Sequence, residues 1–278
     1  MKVGIIFPMF FPIGEDMYRF YQGLEGRTYA VAKYLAKRGY EVHVFACRGS
    51  SVPESSGLHL HTGNYGMYDP RSGVHAYDME KDLILENLHI LKTCDVVIED
   101  NHFHYYHFLR GGKQPMLFSW DHHPDNLRSL PPFRCNIVCV SKWLRSALRA
   151  KFGGDKHNFI VAYSGLNLDI MPPKQHDTIE NTWLYLARFS YVKGAHIVVE
   201  LAKRYPDDQF ILIGDVLFTQ EPAYAWAIKQ ASEKWKNLKV IFNATWDEKI
   251  YWLQSCQGLL HTSLWSEPLG LNILEAMF

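Results

Sequence analysis

The sequence predicts an α/β protein made of two doubly wound domains with parallel sheets. Three observations carry that expectation. Short β-rich runs alternate with helical stretches almost throughout, the first run is apolar on both faces, and a polar, proline-bearing stretch interrupts the alternation near residue 170. At about 150 residues per domain, a chain of 278 residues has room for roughly two.

Residues 3–7 (Val-Gly-Ile-Ile-Phe) form a continuous apolar run, as a strand buried on both faces requires. A helical pattern follows over 24–38, with Tyr29, Ala32, Leu35 and Ala36 on one stripe and Gly39 as its stop. The next strand is 42–46, and further strands are expected at 96–98, 116–119, 137–140 and 159–162, with helices between most of them. Residues 167–181 carry Pro172, Pro173, Lys174, Gln175, His176 and Asp177 and read as a linker, which sets the domains at 1–168 and 169–278. After it come strand 183–187, helix 196–204, strand 210–213, helix 223–236, strand 239–242, helix 247–254, strand 258–261 and an apolar segment 269–278. No internal repeat or low-complexity run is visible.

Composition narrows the function classes. Hydrophobic residues at 47% and charged residues at 21% are ordinary for a globular chain, and Gly 19 with Pro 13 excludes collagenous or disordered character. Lys plus Arg equals Asp plus Glu at 29 each, so no bulk field favours nucleic acid or an anionic membrane as a partner. Five cysteines, at 47, 94, 135, 139 and 256, form no CxxC and suggest buried thiols in a reducing compartment. The apolar run after Lys2 is broken by Pro8 and Pro12 and has no small-residue cleavage site. It reads as a first strand plus a loop, and the protein as cytoplasmic.

Open α/β sheets bind ligands at the carboxyl ends of their strands, so the loops after strands are the places to search. Gly23-Leu24-Glu25-Gly26 opens a helix, where free N–H groups and the helix dipole favour an anion or sugar hydroxyl. The spacing is not GxGxxG, so a dinucleotide fingerprint is absent. Asp121-His122-His123-Pro124-Asp125 follows the strand at 116–119. It admits a metal, one histidine facing a cleft, or a surface turn, and adjacent histidines on extended chain point opposite ways. His102, His104 and His107 with Asp100 form a second such loop, solvated or functional.

Arg188 and Lys193 sit across one strand-to-helix turn, where two cations and a helix N-terminus face a diphosphate or simply stand in solvent. Glu267 precedes the last helix and Glu275 lies about a turn into it, with seven residues between. Flanked by Leu274, Ala276 and Met277, Glu275 needs a partner, and ribose hydroxyls would supply one. Glu267 would then meet the other end of the same ligand.

At these residues the chain resembles retaining glycosyltransferases of the GT-B fold, glycosyltransferase family 4. The resemblance rests on Arg188 with Lys193-Gly194, Ile213-Gly214-Asp215, and Glu267-Pro268-Leu269-Gly270-Leu271 through Glu275-Ala276-Met277. Gly23-Leu24-Glu25, residues 33–42, Val140-Ser141-Lys142 and residues 163–167 also match the family's runs. Leu269 stands where phenylalanine is common, and Val216 where a second glycine is usual.

The resemblance implies two Rossmann-like domains with the active site between them. It implies a hexosyltransferase-like enzyme that moves a sugar from a UDP- or GDP-sugar donor to an unknown sugar, lipid or small-molecule acceptor, with retention of configuration. Arg188 and Lys193 would hold the donor diphosphate and stabilise the leaving group, so neither metal nor cofactor is expected. Glu275 would bind the ribose and Glu267 the transferred sugar, with the Gly270 and Leu271 N–H groups in support. His122 or His123 would contact the sugar near the reacting carbon, and Gly23 would lie under the diphosphate.

The family pattern continues past Glu275, so the second domain is expected to be incomplete. A function from another class is a non-catalytic sugar-nucleotide-binding or partner subunit derived from such an enzyme. A GT-B epimerase would need an acid/base set that the sequence does not display. Residues 142–151 form a basic amphipathic helix that either packs on its own sheet or touches a membrane as a peripheral protein. The apolar segment 269–278 is expected to be covered by a second copy, a partner chain or further residues.

Overall fold

Among the described residues, eleven strands assemble into two wholly parallel sheets of seven and four strands. The computed structural model describes residues 1–14, 23–69, 71–100, 105, 108, 116–121, 130–154, 156–166, 171–216 and 221–278. Two units divide the chain, the first ending at Gly165 and the second running Leu166–Phe278.

The first unit holds strands β1 (Lys2–Ile6), β2 (Glu41–Ala46), β3 (Leu58–Thr62), β4 (Val96–Asp100), β5 (Met116–Asp121), β6 (Asn136–Cys139) and β7 (Asn158–Val161). Its helices are α1 (Gly23–Lys37), α2 (Ala76–Glu86), α3 (Leu88–Leu91) and α4 (Lys142–Phe152). The order β3-β2-β1-β4-β5-β6-β7 reverses direction between β1 and β4, as in a doubly wound sheet. The apolar run of β1 is central because both its faces are covered. Val3 and Ile5 pack with Val42 and Val44 against Tyr29 and Ala32 of α1, the stripe the sequence marks. All five cysteines are free thiols, and four of them are buried.

The sequence expectation omits β3. Its Leu-His-Leu-His pattern looks half polar, yet the strand pairs with β2 in register, His43 opposite His59 and Phe45 opposite His61. Neutral imidazoles behave here as flat aromatic groups. His43 stacks on His59 and His61 at 4.7 and 5.1 Å between ring centroids, and His61 stacks on Phe45 at 4.9 Å. The His43 and His61 rings also share a 2.8 Å nitrogen–nitrogen hydrogen bond.

The second unit holds β8 (Ile179–Leu186), β9 (Gln209–Gly214), β10 (Leu238–Phe242) and β11 (Cys256–Leu259), in the order β10-β9-β8-β11. Its helices are α5 (Ala195–Arg204), α6 (Pro222–Lys234), α7 (Trp246–Ser255) and α8 (Leu271–Met277). Tyr185, Val198, Phe210 and Leu212 pack on one face, and Leu184, Leu186, Ile211 and Ile213 on the other. Strand β8 starts inside the stretch expected to be a linker. Its first three residues are exposed and polar or edge-like, so they carry no strand pattern. The Gln254 side chain stitches the preceding segment to α7, donating to Pro173 O at 3.0 Å and accepting from Gln175 N at 2.9 Å.

No residue of α8 is buried, and Met277 is 79% exposed. Polar contacts at Asn272 and Glu275 hold this helix on one side. No helix among the described residues is long and apolar enough to cross a membrane.

Burial, reinforced by His43, His59, Lys2 and His89, pushes His61 from its ordinary 6.5 to about 4. His43 is lowered too, chiefly by burial, against the opposing effect of its hydrogen bond to the Glu41 carboxylate. Below about 6.5 the unfolded histidine binds a proton that the folded one refuses. The stability this neutral cluster confers is therefore complete above about 6.5 and is lost as pH falls toward about 4. His61→Phe should flatten the fall in melting temperature across that window, measured by thermal scans of both proteins at each pH.

Candidate functional site

The strand order of the second sheet reverses between β8 and β11, the crevice where open α/β sheets take ligands. The chain leaving β8 passes Arg188, exposed, and Phe189, buried, then makes a 3-10 turn over Tyr191–Lys193 before α5. Gly194 ends that turn with φ +75°, and a Cβ there would lie 2.1 Å from Thr262 O. Only glycine fits, because the loop after β11 docks directly on this turn. Thr262 Oγ1 donates within reach of Lys193 O and Gly194 O, at 3.2 and 3.0 Å, and Leu264 N donates to Val192 O at 2.8 Å.

That docking brings Lys193 and Glu267 together as an ion pair, 74 residues apart in sequence. Trp265 completes the cluster. Its Nε1–H donates to Glu267 Oε2 at 2.7 Å, and its ring centroid lies 4.5 Å from Lys193 Nζ. Burial pushes the Lys193 ammonium below its ordinary value, the Glu267 carboxylate opposes that shift, and the Arg188 charge adds to it. The site therefore holds two cations that repel each other and one carboxylate that offsets them.

Glu275 has a protein partner that the sequence reading did not foresee. Lys249 Nζ lies 2.7 Å from Glu275 Oε1, and both side chains are largely buried. The need of Glu275 for a donor is thus met within the protein, by α7. Lys249 lies beside Asp247 and Glu248 in an ordinary-looking amphipathic stretch. The one signal was a lysine in the first turn of a helix, where the dipole disfavours it.

Gly270 caps α8 and Leu271 is its first residue. Asn272 Nδ2 donates to Leu186 O at 2.8 Å, fixing the helix against the end of β8. Arg188, Lys193, Glu267, Gly270, Leu271 and Glu275 thus all stand at the carboxyl end of one sheet. Gly214-Asp215 follows β9, and Val216 N donates to Asn243 Oδ1 at 3.1 Å. In the first unit Gly23 opens α1. His122 and His123 lie outside the described residues, as do His102, His104 and His107. No group of three His, Cys, Asp or Glu side chains suited to a metal occurs among the described residues.

The family profile described as Glycosyltransferase Family 4 matches residues 21–170, more than half of the chain. The profile described as Glycosyl transferases group 1 matches 168–278. The chain belongs to glycosyltransferase family 4.

Solved structures show the same GT-B fold around this glycosyltransferase. Sucrose-phosphate synthase from Thermosynechococcus elongatus superposes with a TM-score of 0.72 at 14% identity, over 100% of this chain and 79% of that one. HepE of Anabaena, in complex with UDP-glucose, gives 0.64 at 17% identity, over 100% and 78%. A glycosyltransferase from Rickettsia africae gives 0.63 at 15% identity, over 99% and 76%. No curated protein matches the sequence.

Gly194→Ala should destabilise the glycosyltransferase by more than about 1 kcal/mol in denaturant unfolding, because the left-handed turn and the Thr262 carbonyl both reject a methyl group. Gly26 in α1 has open space around its Cα, so Gly26→Ala serves as the control and should be neutral or stabilising.

Proposed function

We propose that this glycosyltransferase moves a sugar from a nucleoside-diphosphate sugar to an acceptor with retention of configuration and without a metal. The Lys193–Glu267 pair beside Arg188 carries the reading. A donor diphosphate takes over Lys193 from Glu267, relieves the repulsion between Lys193 and Arg188, and frees Glu267 for the hydroxyls of the transferred sugar. As the sugar–phosphate bond breaks, charge grows on the leaving diphosphate, and two fixed cations at a strand-to-helix turn stabilise it. The N–H groups of Gly270 and Leu271 support the sugar and phosphate, Glu275 takes the ribose, and Gly23 lies under the diphosphate. His122 or His123 contacts the sugar near the reacting carbon. A UDP-sugar is the first donor to try, because HepE is described in complex with UDP-glucose.

Arg188→Ala and Lys193→Ala should each weaken UDP or GDP binding and lower turnover together, by about tenfold or more. Calorimetry with UDP and GDP, then a product assay across nucleotide-sugar donors, checks this. Full transfer by both variants sinks the reading, and binding without turnover in the wild type points to the non-catalytic subunit.

We read the protein as cytoplasmic, with the apolar stripe of α4 packed on its own sheet and the basic outer face of α4 as the surface through which it would touch an anionic membrane. Leu144 and Leu148 are buried, while Trp143 is 44% exposed and Lys142, Arg149 and Lys151 face solvent. No acidic residue occurs in α4 to offset these charges. Phosphatidylglycerol vesicles should sediment the protein at low salt, and charge reversal at Arg145 and Arg149 should abolish that. Sedimentation that survives the reversal removes the reading.

A further inference from the structure

Lys249 is a charged residue at this end of the sheet that the proposed reaction leaves without a task. It is 8% exposed and belongs to the first turn of α7, where its N–H donates to Thr245 O at 2.9 Å. A reciprocal cap fixes that turn. Thr245 Oγ1 accepts from Glu248 N at 3.2 Å, and Glu248 Oε2 accepts from Thr245 N at 2.9 Å. Two effects oppose an ammonium at this place: burial strips its water, and the positive end of the helix dipole repels it. Joining α7 to α8 does not call for it, since well-packed apolar side chains join helices at least as well as a buried ion pair.

The geometry of the pair accounts for the lysine better than stability does. Its Nζ sits 2.7 Å from Glu275 Oε1 and 5.2 Å from the centroid of the Trp246 ring, held between an indole and a carboxylate. Among the described residues, no hydrogen bond reaches Glu275 Oε2, and the glutamate side chain keeps 18% exposure. A lysine makes a single point contact, whereas the fork of an arginine engages both carboxylate oxygens. One oxygen of Glu275 is thus anchored and the other is presented.

We propose that Lys249 is a positioning residue, holding Glu275 by one oxygen so that the other accepts the hydroxyls of a nucleotide ribose. The proposal rests on the reading of Glu275 as the ribose ligand, and it adds the residue that sets that ligand's direction. It also gives the site a basis for preferring ribonucleotides, because an analogue without those hydroxyls leaves the presented oxygen unpaired.

Calorimetry of the 278-residue chain with UDP and with 2′,3′-dideoxy-UDP tests this, using the GDP pair where GDP is the nucleotide that binds. The wild type should favour the ribonucleotide. Lys249→Met should weaken ribonucleotide binding about tenfold while leaving the dideoxy analogue unchanged, so that the preference collapses. A purely structural role would weaken both ligands alike. Glu275→Gln should collapse the preference as well. If it does not, the ribose reading of Glu275 fails. If Glu275→Gln collapses the preference and Lys249→Met keeps it, the Lys249 proposal alone is overturned. Should Lys249→Met lose both nucleotides together with its fold, Lys249→Gln decides, since it keeps a donor toward Oε1 without the charge. A ribonucleotide preference in that variant supports the proposal, and loss of both nucleotides again assigns the pair to folding and overturns it.

Discussion

The donor-side site depends on one backbone contact, the seating of the Thr262 carbonyl against Gly194. The Lys193 turn is a single short 3-10 turn and the loop that carries Glu267 is irregular, so each needs an outside support to hold a direction. They support each other through Thr262 Oγ1 and the Leu264 N–H. The approach is so close that the first residue after Lys193 can have no side chain. A lysine followed by a left-handed glycine is therefore a packing requirement before it is a binding motif. The parallel β8–β11 pairing makes the contact available, because it places the two loops side by side at the same edge of the sheet.

Two lysine–glutamate pairs follow from that arrangement, and in both an indole accompanies the ammonium: Trp265 over Lys193 and Trp246 over Lys249. Buried ion pairs are weak contributors to stability, since the loss of hydration consumes most of the attraction. Their value lies in holding charged groups at fixed places without water. A site that meets a diphosphate and two sets of hydroxyls, as proposed, would need fixed cations and fixed acceptors together. Pairing them keeps each from standing alone in a poorly hydrated crevice.

Most of the fold was legible because the central strands are buried on both faces and so read as continuous apolar runs. The unread strand, β3, lies at a sheet edge and uses His59 and His61 as ring surfaces, a role that a polar/apolar reading cannot see. The start of β8 was hidden for a similar reason, with exposed residues beyond the reach of core packing. At the site, Arg188, Lys193, Glu267 and Glu275 stood out as charges beside glycines and apolar helix. Their partners did not. Trp265 and Thr262 look like ordinary loop residues, and Lys249 is separated from Glu275 by a strand and a loop. Ligand-facing charges leave a trace in local sequence, whereas the residues that orient them are chosen by tertiary contact.

Under the proposed reaction, the charges at the site also say what would have to change when a donor enters. Arg188, Lys193 and Lys249 are cationic there, and Glu267 and Glu275 are anionic, so these five groups sum to one positive charge. A diphosphate brings more negative charge than that surplus. Glu267 cannot remain on Lys193 without setting a carboxylate against a phosphate at close range. Glu275 would face no such conflict, because its lysine sits in another helix and the proposal has its open oxygen meet neutral hydroxyls. Of the two pairs, the Lys193–Glu267 pair is the one that donor binding must open, and the Lys249–Glu275 pair is the one that can stay closed. In the proposed cycle one glutamate would change partner while the other would serve as a fixed reference.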